Sequence, residues 1–150
     1  MYNTKKSFVV RMIAFLMVMA LMVPMGASAA MPETAHPYAS SYLSSYNAYV
    51  YLPGNGNVQV YFNVQGTGTM DELGALFIEL YESTDGSDWD CVKTFNHYST
   101  SGMMSYNDNF HSNYVSYSGV SGRYYKAYVC VWAGDNGNGD SRYFWTSAKH

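Results

Sequence analysis

The sequence predicts an all-β chain folded as a single antiparallel β-sandwich. Three observations carry this. Residues 122–134 alternate strictly: Tyr125, Ala127, Val129, Val131 and Ala133 fall on one face, and Tyr124, Lys126, Tyr128, Cys130 and Trp132 on the other. That period of two belongs to a strand with one buried face. Around it lie further short alternating segments, seven to eight strands in all, each followed by turn chemistry, the spacing of a sandwich or barrel. After residue 30 no segment carries a convincing helical period. A strand as apolar as 122–134 needs partners on both edges and a second layer beneath it, so it is expected at the centre.

The N-terminus reads differently. Lys5, Lys6 and Arg11 precede an apolar run over residues 12–25, and Gly26-Ala27-Ser28-Ala29-Ala30 supplies small residues. This is the three-part layout of a secretory signal peptide, with cleavage after Ala29 or Ala30. The run is shorter than the roughly 20 residues of a membrane span. The expected organisation is a signal peptide over 1–30, a flexible leader over 31–40 and a β-sandwich over 41–148, secreted from the cell. After cleavage five basic residues face eleven acids, a formal charge of −6. Such a chain has no footprint for a phosphate backbone or an anionic lipid surface, which excludes nucleic acid and membrane as expected partners. With 17% aromatic and 13% charged residues, the composition is the opposite of a disordered chain.

Taken in order, residues 41–52 form a Tyr- and Ser-rich strand closed by a turn at 53–57. Val58, Val60, Phe62 and Val64 then alternate with polar residues as its hairpin partner. Residues 66–74 admit two readings. Thr69 as cap with Glu72 three residues on favours a short helical turn over 70–73; the alternative is a plain connection between sheets. Leu76, Ile78 and Leu80 alternate with Phe77, Glu79 and Tyr81 as a strand. Asp85-Gly86 marks a hairpin returning over 89–95. Residues 96–102 read as a loop, 103–106 and 113–117 as two weaker strands, 135–140 as a turn and 142–147 as the last strand.

Val120, Ser121, Gly122, Arg123, Tyr124 and Tyr125, followed by Ala127, Val129, Val131 and Ala133 and then Gly139, Asp140 and Ser141, resemble the F strand and following loop of fibronectin type III-like domains. The resemblance implies a corner tyrosine at Tyr125, its ring buried and its hydroxyl bonded to nearby backbone. An immunoglobulin-like register through Tyr128, Val129 and Cys130 lacks the partner cysteine within 58–64, so the fibronectin-like register is preferred and puts Cys130 on the face away from the core. Segments 66–75, 80–89, 92–95, 124–134 and 139–145 together resemble a family of small secreted proteins of unknown function from Gram-positive, Clostridia-like bacteria. That resemblance implies a compact secreted β-domain and brings no catalytic residues.

Candidate sites follow from residue chemistry. Cys91 and Cys130 are the only cysteines. Secretion permits a bridge, but the strand over 76–82 is expected between them, so two half-buried thiols are favoured over a disulfide. Residues 83–89 resemble an Asp-box hairpin and read better as a tight turn in which Asp85 bonds its own backbone. Asp135-Asn-Gly-Asn-Gly-Asp140 offers oxygens for calcium but places Gly137 and Gly139 where an EF-hand needs ligands, so a hairpin turn is the better account. His97, His111, Asp90 and Asp108 show no ligand or triad spacing. No cofactor or metal site is expected.

The aromatic residues have functional content. Pairing Trp132 with Tyr143 sets Cys130 opposite Trp145 and extends the row through Tyr128. Tyr128, Trp132, Tyr143 and Trp145 then form an outward stripe suited to a glycan or an extracellular protein. A one-residue slip would turn Tyr143 and Trp145 inward. The expected function is non-catalytic extracellular binding. The alternatives are a small secreted hydrolase built near His97 and His111, and a structural matrix or effector protein.

Overall fold

The computed structural model describes residues 40–150. The signal peptide, its cleavage at Ala29 or Ala30, and the leader up to residue 39 lie outside the described residues. Six antiparallel strands follow one another: β1 (Leu43–Gly54), β2 (Asn57–Ser83), β3 (Asp90–Asn96), β4 (Met104–Ser118), β5 (Tyr124–Asp135) and β6 (Asn138–Trp145). Among the described residues there is no α-helix.

β2 organises the sheet. Its first part, residues 57–65, lies between β1 and β4. Its second part pairs with β5 over residues 72–83 and with β3 over 77–82, and β6 extends the sheet beyond β5. One curled antiparallel sheet therefore has two arms, β1–β2–β4 and β3–β2–β5–β6, joined through the same backbone. Val58, Val60, Phe62 and Val64 of the first arm and Ile78, Leu80, Val129 and Val131 of the second share one buried cluster. Each such side chain removed from water contributes roughly 1.5–3 kcal/mol.

The segment expected at the centre is β5. It is hydrogen-bonded to β2 on one edge and β6 on the other, and Tyr125, Ala127, Val129, Val131 and Ala133 all face the buried cluster.

Two expectations are corrected. Residues 70–73 do not form a helical turn: Met70, Glu72 and Leu73 pair with β4, and Glu72 and Leu73 also with β5. A ladder on both edges satisfies more backbone groups than one capped turn, and it lets Met70 and Leu73 enter the core. This favours the connection between sheets, in extended form. The weak strands at 103–106 and 113–117 are likewise one strand, β4. Asn107 (φ 54°) kinks it, and a register shift between Gln65 and Met70 lets both strands pass from one arm to the other. Gly74 lies at this crossing, where a Cβ would overlap the Met103 carbonyl.

Elsewhere local chemistry acts as read. Asp85 Oδ1 accepts hydrogen bonds from Ser87 N and Asp88 N and from the Ser83 hydroxyl. These donors, the Ser87 amide foremost, hold its carboxyl below the usual range. The alternation over 76–81 is broken at Leu76, which bulges between the Ala75 and Phe77 pairs with β5 and is only partly buried. Backbone pairing continues past β6, with Tyr125 and Lys149 exchanging both hydrogen bonds at 2.7 and 2.8 Å.

Tyr125 locks the approach to β5. Its buried hydroxyl accepts from Val120 N at 2.7 Å and donates to the Glu82 carboxylate and toward Val120 O. Burial, then the bond to Glu82, pushes its pKa up to about 12. The unfolded tyrosine ionises near 10, so between pH 10 and 12 the unfolded chain loses a proton that the folded chain keeps, and stability falls as pH rises. Tyr125→Phe is expected to cost about 1–3 kcal/mol, because the Val120 amide and Glu82 lose their partner, and to flatten the decline between pH 10 and 12; urea melts of both proteins across that range check it.

Candidate functional site: the aromatic outer face of β2, β5 and β6

The outward residues of β5 and β6 are set by the hairpin between them. Asn136 and Gly137 both take positive φ, the requirement of a two-residue type I′ turn, and Asp135 pairs with Asn138. The ladder therefore pairs Tyr128 with Trp145, Cys130 with Tyr143, and Trp132 with Ser141. The expected pairing of Trp132 with Tyr143 is off by two residues, because it implies a longer loop than Asn136-Gly137 makes. A shift of two preserves the face, so Tyr143 and Trp145 remain outward, 56% and 49% exposed.

Three of the four stripe residues come together. Tyr128 lies 4.9 Å from Trp145 and 6.2 Å from Tyr143, ring centre to ring centre. Trp132 does not join them. Its indole lies over its own hairpin, where a Cβ on Gly134 or Gly139 would strike it, and it borders a concavity with Asp71, Glu72 and Asn138.

Residues of β2 complete the patch in its place. Phe77 is 6.2 Å from Tyr128 and 6.0 Å from Tyr143, and Tyr81 is 5.0 Å from Trp145. The Lys126 ammonium sits between two indoles, 4.1 Å from Trp89 and 4.7 Å from Trp145, within the range where a cation is held by a ring face. Tyr81 donates to Glu79 at 3.0 Å, and this bond is the leading cause that raises its hydroxyl above the usual value. Phe77 and Tyr81 had a legible signal: they occupy the parity opposite Ile78 and Leu80. The expected place of this strand, between Cys91 and Cys130, already sets it beside β5; what the stripe lacked was the register that aligns Phe77 and Tyr81 with Tyr128 and Trp145.

The cysteines are free. Cys91 pairs across β2 position Tyr81, and Cys130 across Phe77, so β2 separates them. Two strand spacings amount to about 10 Å, beyond the roughly 7 Å that a disulfide spans. Cys130 points away from the core side of β5, as expected, yet is fully buried beside Phe77 and Tyr143, its ladder partners; burial raises its pKa.

The remaining polar candidates are engaged locally. His97 Nδ1 lies 2.9 Å from the Leu76 carbonyl and His111 Nε2 lies 2.8 Å from that of Gly102. Asp108 accepts from Ser105, Asn109 and Phe110, and Asp90 opens β3 opposite Glu82. Asp140 accepts from the Ser40 hydroxyl and Ser41 N, and Asn136 N donates to Asp71 rather than to an acid of its own turn. Among the described residues no three His, Cys, Asp or Glu side chains gather as a metal site.

No protein-family model and no curated protein matches the chain.

Two outcomes check this geometry. Without reductant, alkylation of the native protein should modify Cys91 quickly and Cys130 only on unfolding, giving two labelled thiols by mass spectrometry; a doubly protected species would overturn the separation across β2. Gly139→Ala should cost roughly 1–3 kcal/mol in thermal melts, since its Cβ meets both the Trp132 ring and the Ala133 carbonyl.

Proposed function

We propose that the protein is secreted after cleavage at Ala29 or Ala30 and acts without catalysis as a fibronectin type III-like binding module, of the small secreted family its sequence resembles. Two features support the sandwich. The arms β1–β2–β4 and β6–β5–β2 follow the order of A-B-E and G-F-C strands, with β3 as a further edge strand, and the Tyr125 hydroxyl bonds backbone five residues upstream, as a corner tyrosine does.

The observation that carries the binding role is the half-exposed pair Tyr143 and Trp145, braced from below by Tyr128, Phe77 and Tyr81. Rings held in place by neighbours lose little freedom on binding, and rings with a wet side stack on the apolar faces of sugars. Lys126 and Glu79 at the patch add one cationic and one anionic group. A glycan of the cell exterior is the ligand this chemistry favours.

The experiment is a glycan array and a cell-wall pull-down with the wild-type chain and Trp145→Ala. The expected result is binding by the wild type and a loss of at least tenfold in the variant, equivalent to about 1.4 kcal/mol or more. A protein that co-purifies with the wild type and is lost with Trp145→Ala assigns the patch to a protein partner instead. A wild-type chain that binds neither glycan nor protein overturns the reading.

A further inference from the structure

A second aromatic assembly lies on the outer face of the other arm. Tyr49 of β1, Tyr61 of β2 and Tyr114 of β4 sit in direct register across three strands. Tyr49 and Tyr61 stack in parallel at 5.1 Å, and Tyr114 continues the row at 5.0 Å from Tyr61. Tyr51 closes on Tyr61 edge-on at 6.2 Å. Tyr49, Tyr51 and Tyr114 are each about half exposed. The next row holds Asn47, Asn63 and Ser112, again in register.

The outward positions of this face, over 45–51, 59–65 and 110–116, carry no charged side chain, although acids outnumber bases by eleven to five after residue 30. The charges are gathered in the other arm, the turns and the strand crossing. Among the described residues, the side-chain hydrogen bonds on this face are Tyr61 to Gln59 and Ser45 to Gln65. The amides of Asn47 and Asn63 and the hydroxyl of Ser112 are therefore open to a ligand.

We propose that this face binds an uncharged polysaccharide. Three arguments select that occupant. A surface without cations offers nothing to an acidic polymer, and the negative charge of the remainder repels one. The face measures about 10 Å across its strands and about 20 Å along them, well below the roughly 800 Å² that each partner contributes to a standard protein interface. Of the Trp, Tyr and Arg side chains that anchor such interfaces, it carries tyrosine alone. What it offers is a braced ridge of ring edges and phenol hydroxyls beside free amides. That mixture packs against sugar C–H groups while its amides and hydroxyls exchange hydrogen bonds with sugar hydroxyls. The mutual stacking of the tyrosines fixes their rotamers before the ligand arrives, which lowers the entropy lost on binding. This site is separate from the Tyr143–Trp145 patch and does not depend on it.

The test is retention of the full chain on an insoluble β-glucan, a chitin, a mannan and, as the anionic arm, an alginate gel. The wild type is expected on at least one neutral polymer and not on alginate. Ser112→Glu, which places one charge in the open row and removes no ring, should weaken that retention at least tenfold, and Tyr114→Ala should do the same. Ser112 is exposed and its hydroxyl bonds no group among the described residues, so Ser112→Glu keeps the wild-type melting temperature within a few degrees and decides the matter even if Tyr114→Ala is unstable. The proposal is overturned if no neutral polymer retains the wild type, if alginate retains it equally, or if Ser112→Glu binds as the wild type does. Retention lost in Trp145→Ala but kept in Ser112→Glu assigns sugar binding to the other patch and likewise overturns it.

Discussion

Between Gly66 and Met70, β2 leaves one set of neighbours and acquires another. Before this point its partners are β1 and β4; beyond it β4 stays alongside as far as Gly74, with β5 on the other edge, and then β3 takes the place of β4. The strand stays extended through the change, with residues 67–69 exposed at the crossing, and rejoins the ladder at Met70. β4 makes the same passage alongside it, kinked at Asn107. Everything else hangs on this shared backbone. The inward residues of both arms meet as one cluster because β2 carries Val58 to Val64 into it from one side and Leu73 to Leu80 from the other.

A curled sheet with one common interior has to place its remaining side chains outward, and here the two outward faces differ in chemistry. The face of β5 and β6 concentrates indole rings, a lysine between two of them, and a tyrosine bonded to a glutamate. The face of β1 and β4 is tyrosine, amide and hydroxyl without charge. Both use cross-strand aromatic contacts, which add roughly 0.5–1.5 kcal/mol per pair beyond area burial. Stability and recognition are therefore drawn from the same rings: bracing a ring against its neighbour stiffens the sheet and also fixes the surface a ligand meets.

Much of this was legible because a period of two is a local property. Tyr125 to Ala133 and Val58 to Val64 announced their buried faces and Asp85-Gly86 its turn, whereas the backbone bond of the Tyr125 hydroxyl followed only from the fibronectin-like resemblance and its bond to Glu82 had no signal. What stayed hidden depended on distant neighbours. Thr69 and Glu72 have the spacing of a helix cap, but that signal spans four residues and knows nothing of β4 and β5, whose ladders prevail there. The β5–β6 register rested on which of several Gly and Asn residues would turn, and Asn136-Gly137 makes the tightest available turn. The Tyr49, Tyr61 and Tyr114 row was invisible for the same reason. Each tyrosine sits at the polar parity of its own strand; Tyr49 and Tyr61 meet across the expected hairpin, but Tyr114 joins them only by pairing with Tyr61, more than fifty residues away. Phe77 and Tyr81 join the candidate patch through the register of β2 on β5, since their being neighbours already follows from the strand expected between Cys91 and Cys130.

The placement of the two sulfur atoms has a bearing on where such a chain can work. With Cys91 on one flank of β2 and Cys130 sealed on the other, no covalent staple contributes to the fold. No bond of the fold is set by the redox poise of the surroundings: a reductant finds no disulfide to open, and an oxidant meets first the exposed sulfur of Cys91. A chain arranged in this way reaches its final form without forming or rearranging a disulfide.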